Sequence, residues 1–160
     1  MIIRKATIRD EPAIGSIILP VIREGATYTL DQNLSEQDAL DYWLGSGKET
    51  FVAEDGSDIL GTYYMRPNQA GGGQHVCNCG YMTAASASGR GVATAMCNHS
   101  ISYARDAGYR AMQFNFVVST NTGAIRLWKR LGFDEVGRLP GAFRQPNGEY
   151  VDALVMYRSL

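Results

Sequence analysis

Apolar positions along this chain switch between helical spacing and strict alternation several times. Ile2 to Thr7 reads as a first strand. Ile14, Ile17, Ile18, Val21 and Ile22 then recur at helical spacing. Asp10 is placed to cap that helix and Glu11-Pro12 to open it, because proline is tolerated in a first turn. Pro20 predicts a kink, and Gly25 the end. Gly25 to Asn33 is a loop carrying Tyr28. Ser35 caps a second helix over Glu36 to Leu44, with Ala39, Leu40 and Trp43 on its apolar side.

Thr50 to Glu54 and Ile59 to Met65 are two strands about Asp55-Gly56, a strong hairpin signal. Asn68 to Gln74 is a glycine-rich loop, and His75 to Thr83 the next strand. Gly91 to Ala107 reads as a helix with Val92, Met96, His99, Tyr103 and Ala107 on one side; Ile101 does not fit that division. Gly108 is its left-handed end. Arg110 to Val118 is a strand, and Thr120 or Asn121 caps a shorter helix reaching Leu131. Phe133 to Leu139 and Tyr150 to Arg158 are a last strand pair joined through Pro146-Asn147-Gly148. The order is β-α-α-β-β-β-α-β-α-β-β. The strand-helix-strand unit from His75 to Val118 requires parallel strands, whereas the preceding hairpin is antiparallel. The chain is thus expected to be α/β (α+β), with a mixed sheet and helices on both faces.

Composition narrows the class. The 160 residues suit one domain over 1–160 and are 45% apolar with a net charge of −1. That balance argues against bulk nucleic-acid or membrane binding, which usually needs a basic excess. No apolar run approaches a membrane span, and the first residues do not open a signal peptide, which points to the cytoplasm. Cys77, Cys79 and Cys97 have no second pair and no His cluster beside them, since His75 and His99 are the only histidines. Buried free thiols are therefore expected, and no metal.

Chemistry concentrates in Gly80 to Met96, a strand end followed by a small-residue loop and a helix start. Unpaired N–H groups and partial positive charge at a helix N-terminus attract phosphate, and Gly89 and Gly91 would let it approach the backbone. The loop lacks a third glycine, since Thr94 fills that place. No acidic residue follows about 20 residues on, which speaks against a dinucleotide fold.

Some 30 residues later comes Asn121-Thr122-Gly123-Ala124-Ile125-Arg126-Leu127-Trp128, closed by Gly132-Phe133. Together the two segments resemble the GNAT superfamily of acetyl-CoA-dependent N-acetyltransferases. The family patterns are Arg/Gln-x-x-Gly-x-Gly/Ala and Asn-x-x-Ala-x-x-x-Tyr-x-x-x-Gly-Phe. The resemblance implies a mostly antiparallel sheet of about seven strands with four helices. It implies acetyl-CoA as cosubstrate and a small-molecule amine, an amino acid or analogue, as acceptor, in a monomer or homodimer. Protein N-terminal or lysyl acetylation and a non-catalytic acyl-CoA-binding module are the rival readings. Ser88 stands where the family has Arg or Gln. The resemblance gives Ser88, Gly89, Arg90, Gly91, Val92, Ala93 and Thr94 to the pyrophosphate. Tyr81, Met82 and Thr83 fall to the pantetheine through their backbone, and Asn121, Ala124 and Trp128 to the wall beside it. Locally, Phe114 to Val118 and the tail around Gly137-Arg138-Leu139 and Val151 to Leu154 resemble members that acetylate proline-like amino acids.

Trp128 occupies the position of the family tyrosine that protonates the departing thiolate. Indole N–H donates a hydrogen bond but no proton near neutral pH, so the resemblance implies transfer by positioning and polarisation alone. Asn78 and Asn115 interrupt inner strands where asparagine is disfavoured, and are the candidates for holding or polarising the reacting groups. Tyr28, Arg138 and Arg144 are candidates for the acceptor, the arginines for its carboxylate. His99 is expected to be a satisfied core histidine.

Overall fold

The computed structural model describes Met1–Leu160. A seven-stranded sheet runs in the order β1-β2-β3-β4-β5-β7-β6. Its strands are β1 (Ile2–Lys5), β2 (Glu49–Asp55), β3 (Asp58–Pro67), β4 (Val76–Thr83), β5 (Ala111–Val118), β6 (Asp134–Arg144) and β7 (Tyr150–Ser159). The helices are α1 (Glu11–Glu24), α2 (Glu36–Leu44), α3 (Val92–Asp106) and α4 (Thr122–Arg130). Every neighbouring pair is antiparallel except β4 and β5, which the α3 crossover makes parallel. No helix is long and apolar enough to cross a membrane.

Strand alternation divides the core in two. Phe51, Tyr63, Met65 and Phe114 face α3 and α4, where they meet Met96, Ile101 and Trp128. Their neighbours Val52 and Tyr64, with Met82, face α1 and α2 and meet Ile14, Ile18 and Trp43. Trp43 is fully buried, and its Nε1 donates to Thr62 Oγ1 at 2.9 Å, so its one polar atom is satisfied.

Several local expectations shift. Asp10 makes no hydrogen bond to α1. Its Oδ2 accepts from Thr7 N–H at 2.7 Å and from Arg4 at 2.8 Å, tying the chain before the helix to β1. The α1 helix runs on through Pro20. The buried face of α3 is Val92, Met96, Cys97, Ser100, Ile101 and Ala104. The Ile101 anomaly thus disappears, because the face lies rotated from the predicted stripe. His99 sits at its margin, half-buried, with Nδ1 2.7 Å from Tyr63 Oη. The β6 strand extends to Arg144, well past the predicted Leu139. It is an exposed edge strand with little apolar patterning, and Pro140 is tolerated there because an edge needs no ladder hydrogen bond on its outer side.

Candidate active site

The parallel pairing of β4 and β5 ends at Cys77 and Met112. Beyond that fork β4 stays with β3, β5 stays with β7, and the sheet opens. A cavity of about 960 Å³ fills the opening. At one end it touches the loop before α3, and at the other a chamber under the segment joining α1 to α2.

Backbone builds the first end. Gly89 and Gly91 both have φ of +74°, a left-handed conformation that side chains with a Cβ resist. The first internal bond of α3 runs from Ala95 N–H to the Gly91 carbonyl. The N–H groups of Val92, Ala93 and Thr94 are therefore without helical partners. No acidic residue occupies the first turn, so the positive end of the helix is uncompensated. Ser88, Gly89, Gly91, Val92, Ala93 and Thr94 all line the cavity. Arg90 does not. Its guanidinium turns away to Asp55 at 2.8 Å on the exposed surface.

One wall is α4. Asn121 caps it, with Oδ1 accepting from Ala124 N–H at 3.3 Å. Asn121, Ala124 and Trp128 line the cavity. The Trp128 indole packs at 5.1 Å from the Tyr81 ring and 5.0 Å from the Phe114 ring, with no hydrogen-bond partner for Nε1. On the opposite wall Tyr81 and Thr83 belong to the lining, whereas Met82 does not. Met82 pairs with Thr62 of β3, and its buried side chain points into the α1–α2 core. Peptide groups alternate along a strand, so one residue in two addresses β3 and its neighbours address the gap. The Tyr81 carbonyl is on the gap side and accepts from Tyr28 Oη at 2.9 Å.

Side chains build the second end. Tyr28, Tyr42 and Tyr64 wall it, buttressed by Trp43 at 6.1 Å from Tyr28 and 4.9 Å from Tyr64. Gly80 is required beneath Tyr64: a Cβ there would lie 2.7 Å from Tyr64 Cε1. Asn78 sits at the fork and is 7% exposed. Its Nδ2 donates to the Gln113 carbonyl at 3.0 Å across the parting strands, leaving Oδ1 without a protein partner. Asn115 also lines the cavity, but both ends of its amide are engaged. Oδ1 accepts from Gln113 at 2.9 Å, and Nδ2 donates to Asn68 at 2.7 Å. It ties the Asn68 loop to β5 rather than addressing a reacting group.

Arg138 and Arg144 lie outside the lining. Arg138 is bound to Asp152 at 2.9 Å and Glu135 at 3.3 Å, and Arg144 is exposed at the end of β6. Two arginines do line the cavity, Arg130 at the end of α4 and Arg66 of β3, and the sequence reading missed both; Arg66 is the one on the same strand face as Tyr64. A lone arginine at the end of an apolar strand resembles a solvated edge charge. The available signal was its phase, two residues from Tyr64 on the face opposite Tyr63 and Met65.

The lining contains no Asp, Glu or His. Burial pushes the phenols of Tyr28, Tyr64 and Tyr81 well above their usual range, and pushes the Cys79 thiol up likewise. None of these groups is ionised near neutral pH.

The acetyltransferase (GNAT) family model matches residues 21–133. The chain belongs to the GNAT acetyltransferase family. It is 30% identical to the N-acetyltransferase aca1 of Schizosaccharomyces pombe, the match covering 84% of this chain and 72% of that one. A GCN5-related N-acetyltransferase from Kribbella flavida superposes with a TM-score of 0.94 at 41% identity, covering 99% and 97% of the two chains. YncA of Salmonella typhimurium, a putative acetyltransferase solved with acetyl-CoA, shares the fold with a TM-score of 0.88 at 22% identity, over 100% and 94% of the chains. The protein is thus an acetyl-CoA-dependent N-acetyltransferase. Its cavity suits that cosubstrate, with unpaired amides and no competing carboxylate at one end and a narrowing fork at the other.

Proposed function

We propose that this acetyltransferase acetylates the amine of a small molecule by direct attack, with both substrates bound together. One observation carries the reading. A single cavity joins the unpaired amides of α3 to an aromatic pocket formed by Tyr28, Tyr42 and Tyr64 on the side of the α1–α2 segment. Gly89 and the stretch Gly91 to Thr94 take the pyrophosphate through their N–H groups. Tyr81 and Thr83 on one side, and Asn121, Ala124 and Trp128 on the other, flank the arm. Bound there, acetyl-CoA supplies the activated acetyl group.

Asn78 positions the acceptor, its free Oδ1 accepting from the amine N–H. The amine nitrogen forms a bond to the acetyl carbon, the carbon–sulfur bond breaks, the sulfur leaves with the electron pair, and the amine proton passes to water. Trp128 excludes water from this fork and donates no proton. No group on the lining is poised to form an acyl-enzyme, which supports direct attack.

The test is acetyl-CoA turnover, read as thiol release with mass identification of products. The panel comprises small primary amines, cyclic secondary amines including proline, amino acids, polyamines, and peptides bearing a free N-terminus or lysine. Turnover of small amines is expected. Turnover confined to the peptides would sink the reading.

A further inference from the structure

Arg66 stands apart from the other arginines of the molecule, each of which is exposed or has a hydrogen-bond partner. Arg66 is half-buried on the cavity lining, and its Nε is sealed from solvent without any partner. No ion pair includes it. A guanidinium carries five N–H donors in a fixed fork, and a buried donor left unmet is destabilising. A charge of the same sign stands near it. Lys48 Nζ lies 3.6 Å from the Tyr42 ring and 4.4 Å from the Tyr64 ring, two walls of the chamber. Burial and then repulsion from Arg66 press its pKa down to about 8. One cation thus lines the cavity and a second stands behind its tyrosines, and the lining holds no carboxylate.

Their place in the sheet says which ligand they await. Arg66 pairs in register with Asn78, so the two side chains rise from adjacent strands on the same face, beside Tyr64. Asn78 lies five residues before Thr83, the end of β4, which puts Arg66 roughly 16 Å along the strand from the loop that faces α3. The cofactor phosphates belong to that loop. An anion at Arg66 is therefore a second one.

We infer that Arg66 holds a carboxylate on the acceptor, so that the substrate is an amino acid whose amine lies against Asn78 and whose side chain rests on Tyr28, Tyr42 and Tyr64. The inference rests on the small-molecule reading above. Arg66 binds the carboxylate through charge-assisted N–H donors, a geometry its planar fork suits better than an ammonium does. Lys48 adds positive potential from behind the tyrosines. The anchor expected from sequence at Arg138 thus moves to a residue on another strand.

The test compares each acid with its decarboxylated amine: L-proline with pyrrolidine, L-leucine with 3-methylbutylamine, L-phenylalanine with phenethylamine. Wild type, Arg66→Met and Arg66→Lys are assayed with coenzyme A affinity as the control for folding. In Arg66→Met, KM for the preferred acid rises about 100-fold while kcat stays within about threefold, as loss of a charge-assisted pair demands. The ratio of variant to wild-type kcat/KM for its amine stays within about threefold, and Arg66→Lys recovers part of the loss. Equal effects on acid and amine, no effect on either, or wild-type preference for the amines would each overturn the role of Arg66 and leave the small-molecule reading standing. Turnover of neither member of any pair, with peptides acetylated, would overturn both.

Discussion

The two ends of the cavity are made of different material. Around α3 the site is backbone: free amides, two left-handed glycines and no required side chain. Under the α1–α2 segment it is side chain: three tyrosines, an asparagine and an unmatched arginine drawn from four elements or connecting segments. Backbone recognition depends on one contiguous stretch adopting one conformation. Side-chain recognition depends on distant stretches meeting. Substitutions in the first end should therefore act through chain conformation and affect the cofactor alone. Those in the second should act through removed atoms and affect the acceptor alone.

On the cofactor side, the effect that most sharpens this contrast is expected at Gly91. A valine at φ +74° forces a left-handed conformation that costs about 1–2 kcal/mol and turns the amides away from their target. Gly91→Val should weaken coenzyme A binding, measured by calorimetry, by about 10-fold or more. KM for the acceptor should stay near wild type; a matched loss on both sides would break the division. Asn78→Ala comes next. Losing the acceptor for the amine N–H, together with the bridge to Gln113, should lower kcat/KM about 10- to 100-fold with coenzyme A affinity unchanged. A change under threefold would remove Asn78 from the site.

The third expectation concerns pH. With no carboxylate or imidazole on the lining and the buried phenols pushed up, no enzyme group on the lining takes the proton. Below the acceptor's own pKa, log kcat/KM should then rise by about one per pH unit, because only the neutral amine attacks. Lys48 loses its charge as pH rises through about 8, so acceptor KM should increase above that value in wild type and not in Lys48→Met. A second bend near pH 6 that persists with several acceptors would reveal a base that this account lacks.

Smaller effects test the residues that the geometry leaves aside. Trp128→Phe should retain kcat within about threefold, and Trp128→Tyr should bring no large gain, since packing is the indole's contribution. Arg138→Ala and Arg90→Ala should each change KM by less than about twofold. Their partners are surface carboxylates, and exposed pairs contribute little.

The same contrast explains what sequence could tell. Gly89 to Thr94 and Asn121 to Trp128 are local patterns whose meaning survives without knowledge of the rest of the chain. The parallel pairing of β4 and β5 followed from the strand-helix-strand order, whereas the fork that places Asn78 depends on where that pairing stops, after Cys77 and Met112. Arg66, Tyr42 and Tyr64 were silent, because their convergence depends on how α2 lies over β3 rather than on any local spacing. Met82 failed for a finer reason: parity along β4, fixed by the pairing of Ala84 with Leu60, decides which peptide groups face the gap. Arg138 failed because its acid lies across a hairpin at Asp152, within reach only once the β6–β7 register is known.

On the proposed mechanism both ends of the cavity are filled at once and no acyl-enzyme forms between them. Initial rates with acetyl-CoA and an accepted amine varied together test it most directly. Double-reciprocal lines should intersect, with no acetylated protein found by mass spectrometry after incubation with acetyl-CoA alone. Parallel lines, together with an acetyl group on Cys79 or any other lining residue, would contradict it.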